Sequence, residues 1–173
     1  MARIGRLKLT KEYIVKMLKY VDTKVTFSEV PDEITLCINV SGCPCNCKGC
    51  HSSYLAEDIG TELTEEELGG LLARNKGISC ISFMGGDANP SDVNSLSKFV
   101  RANYPELKTA WYSGRQELSG DIKLINFDYI KLGPYTEELG PLNSKTTNQR
   151  MYKIVKQTST CELVDITNKF WKK

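Results

Sequence analysis

Histidine is almost missing from this chain of 173 residues, with His51 as its one example. Charge of one sign is nearly missing too: 23 Lys and Arg face 21 Asp and Glu, for a net charge of +2. Such a balance gives no field strong enough to gather nucleic acid or an anionic membrane surface. Basic residues cluster only at the ends, with Arg3, Arg6 and Lys8 near one and Lys172 and Lys173 at the other, a pattern typical of solvated termini. No apolar run approaches the length of a membrane-spanning helix. The first residues lack an apolar h-region and a small-residue cleavage site, so no secretory signal is read. Repeats, linkers and low-complexity segments are absent as well, and a single domain with its own core is expected. Seven cysteines form an odd count with no pairing framework, which fits a reducing cytoplasm.

What is present is concentrated. Four of the seven cysteines, Cys43, Cys45, Cys47 and Cys50, fall within eight residues of a run rich in Gly, Pro, Asn and Lys. Those companions form loops, not cores. Disulfides between cysteines this close have poor geometry. Zinc sites usually pair a short Cys spacing with a distant second half. No second half is visible, because His51 adjoins the cluster and Cys37, Cys80 and Cys161 stand alone in apolar runs. Iron–sulfur ligation is the third choice, and thiolates at short spacing suit it. Cys43, Cys47 and Cys50 read C-x₃-C-x₂-C, three thiolates for a four-iron cube with one iron left open. Cys45 lies outside that pattern as a spare thiol or an alternative ligand.

Periodicity and capping signals suggest an alternation of strands and helices. A helix is expected from Thr10 to about Tyr20, an edge strand over 25–30 and a buried strand over 34–40 that feeds the cysteine loop. Thr64 and Glu67 form a capping-box pattern that opens a second helix. A strand over 78–84 leads into Gly85-Gly86-Asp87, and a third helix starts at Ser91-Asp92 and stops at Tyr104-Pro105. Strands over 107–112 and 127–132 follow, then a loop over 136–150 and two candidate strands at 151–155 and 162–166. Strand–helix alternation implies a parallel sheet, and a closed eight-stranded barrel needs about 250 residues. The expectation is therefore an α/β chain folded as an open, partial (βα) barrel, with residues 1–30 as an extension packed on a domain of 31–173. Its chemistry would sit at the carboxyl ends of the strands, where the cysteine loop, Gly85-Gly86-Asp87, Ser113 and Lys131 all fall.

The spacing of Cys43, Cys47 and Cys50 resembles the signature of the radical S-adenosylmethionine superfamily. That resemblance implies that these three residues hold a 4Fe-4S cluster and that S-adenosylmethionine binds its open iron. Gly85-Gly86-Asp87 resembles the superfamily's Gly-Gly-Glu motif, which contacts the amino group of the methionine moiety, here through the Asp87 side chain or the backbone. Gly49, Cys50 and His51 would lie by the adenine, with a fourth iron ligand as the competing role for His51. Ser113 and Lys131 would take the ribose and the methionine carboxylate, with Arg115 nearby. Ser41-Gly42-Cys43-Pro44, Tyr112-Ser113-Gly114-Arg115, the run from Asp128 to Tyr135 and Thr147-Asn148-Gln149-Arg150-Met151-Tyr152 narrow the likeness. They are similar to the activating proteins of anaerobic ribonucleoside-triphosphate reductases. The implied activity is formation of a glycyl radical on the reductase large subunit, with a flavodoxin or ferredoxin as electron donor. Rival readings are another small radical enzyme of this superfamily, an activase of a different glycyl radical enzyme, and a non-catalytic metal-binding module.

Overall fold

A computed structural model describes residues 17–171. Its strands are β1 (Lys19–Thr26), β2 (Thr35–Val40), β3 (Thr61–Glu62), β4 (Cys80–Met84), β5 (Lys108–Tyr112), β6 (Tyr129–Leu132), β7 (Arg150–Lys156) and β8 (Cys161–Asp165). Its helices are α1 (Glu65–Arg74) and α2 (Pro90–Asn103). The eight strands form one sheet in the order β3-β1-β2-β4-β5-β6-β7-β8.

The expected partial (βα) barrel is not what forms. The fold is a mixed sheet with two helices among the described residues. Only β2, β4, β5 and β6 run parallel, and antiparallel strands flank them on both sides. A barrel repeats a helix after each strand. Here β2 to β4 crosses by α1 and β4 to β5 by α2, but β5 to β6 crosses by a loop with one 3₁₀ turn at Leu124–Asn126. That crossing contains Gly114 and Gly120 and lacks the apolar spacing a helix would need to cover the sheet.

Most of the first expected helix falls on residues outside those described; its last residues, Lys19 and Tyr20, belong to β1. The strand expected over 25–30 instead ends at Thr26, and β1 is interior, paired with β2 and β3. The two-residue β3 has too little sequence to show a period.

The helices start where short polar side chains can accept from the first free amides. Thr64 Oγ1 accepts from Glu67 N at 3.1 Å, and Glu65, Glu66 and Glu67 place negative charge at the positive end of α1. Asn89 caps α2 through Asp92 N, with Pro90 in the first turn, one residue ahead of the expected start. Replacing Thr64 by Ala is expected to lower stability by about 1 kcal/mol. It would be read as a lower denaturant midpoint at unchanged slope.

Alternation along the strands divides the sheet into two unlike faces. Leu36, Ile38 and Val40, Ile81 and Phe83, Trp111, and Ile130 and Leu132 point to α1 and α2 and form the main core with Leu68, Leu71, Leu72, Val93, Leu96 and Val100. Fully burying one such side chain contributes about 1.5–3 kcal/mol. The other face carries Cys37, Asn39, Met84, Tyr112 and Lys131 and, among the described residues, no α-helix. A smaller cluster of Val30, Cys80, Ala110, Tyr129 and Met151 covers only its amino end.

That amino end is tied by Glu33, which is 6% exposed. Its carboxylate accepts from Ser79 Oγ at 2.6 Å and Tyr129 Oη at 3.1 Å and pairs with Lys108. One buried anion thus fixes the entries of β4, β5 and β6, and their carboxyl ends are left for the site. No helix among the described residues is long and apolar enough to cross a membrane.

Candidate metal centre

The cysteine loop leaves the carboxyl end of β2 and is fastened before its first thiol. Ser41 N donates to Lys19 O at 2.9 Å and Ser41 Oγ to Ile59 O at 2.6 Å. Gly42 N donates to Glu57 O at 2.9 Å and Cys43 N to Leu55 O at 2.8 Å. The returning segment over 55–59 therefore holds the loop base through two backbone bonds and the Ser41 hydroxyl, and β1 adds a third backbone bond. A turn closed by Cys50 N on Cys47 O at 3.2 Å sets the last two thiols.

Cys43, Cys45, Cys47 and Cys50 all line one cleft of about 810 Å³. Its other walls include Gly85, Asp87, Ser113 and Lys131, from the carboxyl ends of β4, β5 and β6. Gly49 and His51 line it as well. His51 is exposed, with its Nε2 3.2 Å from Ser52 Oγ. A Cβ at Gly49 would stand 3.5 Å from the Tyr135 ring, so the cysteine turn packs on the chain that follows β6. Of the site residues singled out in the sequence, Gly86 and Arg115 do not line this cleft; the others do.

Asp87 is the hub of that cleft and is 2% exposed. Ser113 Oγ donates to its Oδ1 at 2.5 Å and Gly114 N to its Oδ2 at 2.8 Å. Arg115 Nη2 donates to its carbonyl at 3.1 Å, and Arg115 Nε lies 3.9 Å from Oδ1. The Ser113 hydroxyl also accepts from Arg115 N at 3.0 Å. Asp87 therefore bolts the end of β4 to the end of β5.

The glycines before it answer an internal need. Gly85 and Gly86 have φ of +103° and +91°. A Cβ on Gly86 would come within 2.5 Å of Val93 Cγ2, and one on Gly85 within 3.0 Å of Val40 O. Backbone approach at this motif is to β2 and α2 of the same chain.

Cys45 is separated from the other thiols by its contacts. Its Sγ donates to Asp87 Oδ2 at 3.8 Å, and a Cβ on Gly114 would lie 2.6 Å from that sulfur. Burial, and then the Asp87 carboxylate and Cys43, push this thiol up to about 12. The sequence placed Cys45 in the loop but carried no sign of the β5 contact, which depends on Gly114. We expect Cys45→Ser to keep its full iron content after anaerobic reconstitution, measured by iron and sulfide analysis, with a midpoint of thermal unfolding lowered by a few degrees.

Lys131 is 7% exposed and donates to Gly133 O at 2.6 Å and, more weakly, to Ser113 O at 3.4 Å. Burial pulls its ammonium down to about 8, opposed by Asp87 and the cysteines.

The donors fit an iron–sulfur cluster. Three soft sulfur ligands open into one cleft, next to a buried ammonium that complements an anionic centre. Among the described residues no group of three His, Cys, Asp or Glu is placed to hold a metal ion. A cube does not require that convergence, because each thiolate takes a different iron.

Comparison with known proteins agrees with the donor chemistry. A family model described as a 4Fe-4S single cluster domain matches residues 34–154, from the start of β2 into β7. No curated protein and no solved structure matches the chain. The match takes in the cysteine loop and every wall of the cleft named above, and the chain belongs to the 4Fe-4S single cluster domain family.

Proposed function

We propose that the chain is a radical S-adenosylmethionine activase of an anaerobic ribonucleoside-triphosphate reductase. One observation carries the reading. Cys43, Cys47 and Cys50 open into a cleft whose other walls include the carboxyl ends of three neighbouring parallel strands. Three cysteines would hold the cluster, and the remaining cleft would hold S-adenosylmethionine. A cluster held there and reduced by a flavodoxin or ferredoxin would supply the electron for reductive cleavage of S-adenosylmethionine to methionine and 5′-deoxyadenosine, the hydrogen coming from a glycine Cα of the reductase large subunit.

The chain's own residues position and shield. The loop base, fixed by Ser41, Gly42 and Cys43, sets where the three sulfurs open. Asp87 places negative charge beside the amino end of the ligand while Ser113 and Gly114 hold it still. Lys131 places positive charge for the carboxylate end. Gly49 and His51 form the rim by the adenine. Tyr135 and Leu142 close part of the cleft against water.

The test is reconstitution with iron and sulfide without oxygen, followed by reductant and S-adenosylmethionine. Release of 5′-deoxyadenosine supports the activity, and its absence from a fully loaded protein overturns it. A glycyl radical on the reductase large subunit, seen by electron paramagnetic resonance, supports the partner. Cleavage without that radical points to another glycyl radical enzyme or a small-molecule substrate. One equivalent of zinc and no iron would leave a binding module.

A further inference from the structure

The cleft contains a buried polar side chain to which the sequence reading gave no role. Gln149 is 6% exposed and lines the cleft. Its backbone is used: Gln149 N donates to Thr147 Oγ1 at 3.2 Å and its carbonyl accepts from Arg150 Nη1 at 2.8 Å. Its carboxamide has no hydrogen-bond partner among the described residues. The carboxamide is not among the fully buried unpartnered groups, so it keeps some exposure within the cleft, where a ligand group can meet it.

Register shows what lies beside it. Lys131 pairs with Met151 across the antiparallel β6–β7 ladder. Gln149 is two residues from Met151 and so falls on the same face as Lys131, at the diagonal position. Of the three ammonium protons of Lys131, two are directed to Gly133 O and Ser113 O. One donor remains. No carboxylate lies within ion-pair distance of Lys131 among the described residues. A buried cation with only carbonyl partners calls for an anion.

We propose that Gln149 and Lys131 together bind the ligand's carboxylate, one oxygen accepting from the carboxamide NH₂ and the other from the remaining ammonium proton. The inference rests on the proposed function, in which that ligand is S-adenosylmethionine. It makes Gln149 a residue that selects for the α-carboxylate, contributed by the residue just before β7, outside the parallel set that carries the rest of the site.

The experiment compares two ligands on the cluster-loaded full chain: S-adenosylmethionine and its decarboxylated analogue. Equilibrium dissociation constants are measured for wild type and Gln149→Leu, with iron content and thermal midpoint as controls for folding. Gln149→Leu is expected to weaken S-adenosylmethionine about tenfold, the loss of one hydrogen bond to a charged group, and to leave the analogue unchanged. Gln149→Glu, which keeps the shape and adds a repelling charge, is expected to lose more with S-adenosylmethionine and nothing with the analogue. Equal losses for both ligands in both variants overturn the inference, because they mark a structural role. Unchanged binding of S-adenosylmethionine with a weaker response to the reductase overturns it in favour of a partner peptide at Gln149. Loaded wild type that binds neither ligand overturns the parent reading, and this one with it.

Discussion

Replacing any one of Cys43, Cys47 or Cys50 by Ala is expected to abolish cluster retention and reduce S-adenosylmethionine cleavage by at least a hundredfold. Each of the three would hold a different iron, so no neighbour substitutes for a lost thiolate without moving the loop. Cys45 is the nearest candidate, but its sulfur faces Asp87 and Gly114 across the cleft. The test is clean because the fold does not depend on these thiols. The loop base is held by backbone bonds at Ser41, Gly42 and Cys43 that alanine at Cys43 preserves. All three thiols are only partly buried, so truncation removes little packing. Far-ultraviolet circular dichroism should match wild type while the visible charge-transfer absorption and the bound iron disappear. Full iron content in two of the three variants, with loss in Cys45→Ser, would overturn the ligand assignment.

How much of this was legible in the sequence varied with how local the cause was. The capping box at Thr64 and the apolar strands that became β2, β4, β5 and β6 depend on spacing within a few residues, and each formed where expected within a residue or two. The cysteine spacing likewise pointed to an iron–sulfur cluster, which the family match bears out. Global architecture was misread because it rests on what is missing between β5 and β6. A run with Gly114, Gly120 and a 3₁₀ turn at Leu124–Asn126 replaces the helix that a barrel would place there. The antiparallel flanks were equally hidden, since an isolated strand pattern carries no direction. The site's cross-links were the least legible. Asp87 to Gly114, Cys45 to Gly114 and the placing of Gln149 beside Lys131 join residues that are 18 to more than 60 positions apart in the chain.

Asp87→Ala is expected to cost about 2–4 kcal/mol of stability and to weaken S-adenosylmethionine binding more than tenfold. The carboxylate is 2% exposed and receives a hydroxyl, a backbone amide and a thiol at once. Truncation strands the Gly114 amide and the Ser113 hydroxyl in a buried place, and each stranded donor costs about 1–3 kcal/mol. For a chain of this size that corresponds to a fall in Tm of about 4–16 °C. Asp87→Asn separates charge from shape. A carboxamide accepts through one oxygen only; with that oxygen on Gly114 N, its NH₂ meets the Ser113 hydroxyl, which can accept but loses its own acceptor, so part of the loss is expected to remain. Arg115→Ala should cost less than about 1 kcal/mol, because its side chain is half exposed and its ion pair with Asp87 spans 3.9 Å. The order Asp87→Ala, Asp87→Asn, Arg115→Ala in falling cost is thus set by how many buried donors each change leaves unpaired. Equal, small losses for all three in thermal unfolding would mean that the β4 and β5 ends are held by packing alone. The cleft would then owe its shape to Val40, Val93 and Trp111 behind it, where Trp111 Nε1 donates to Gly85 O at 2.8 Å.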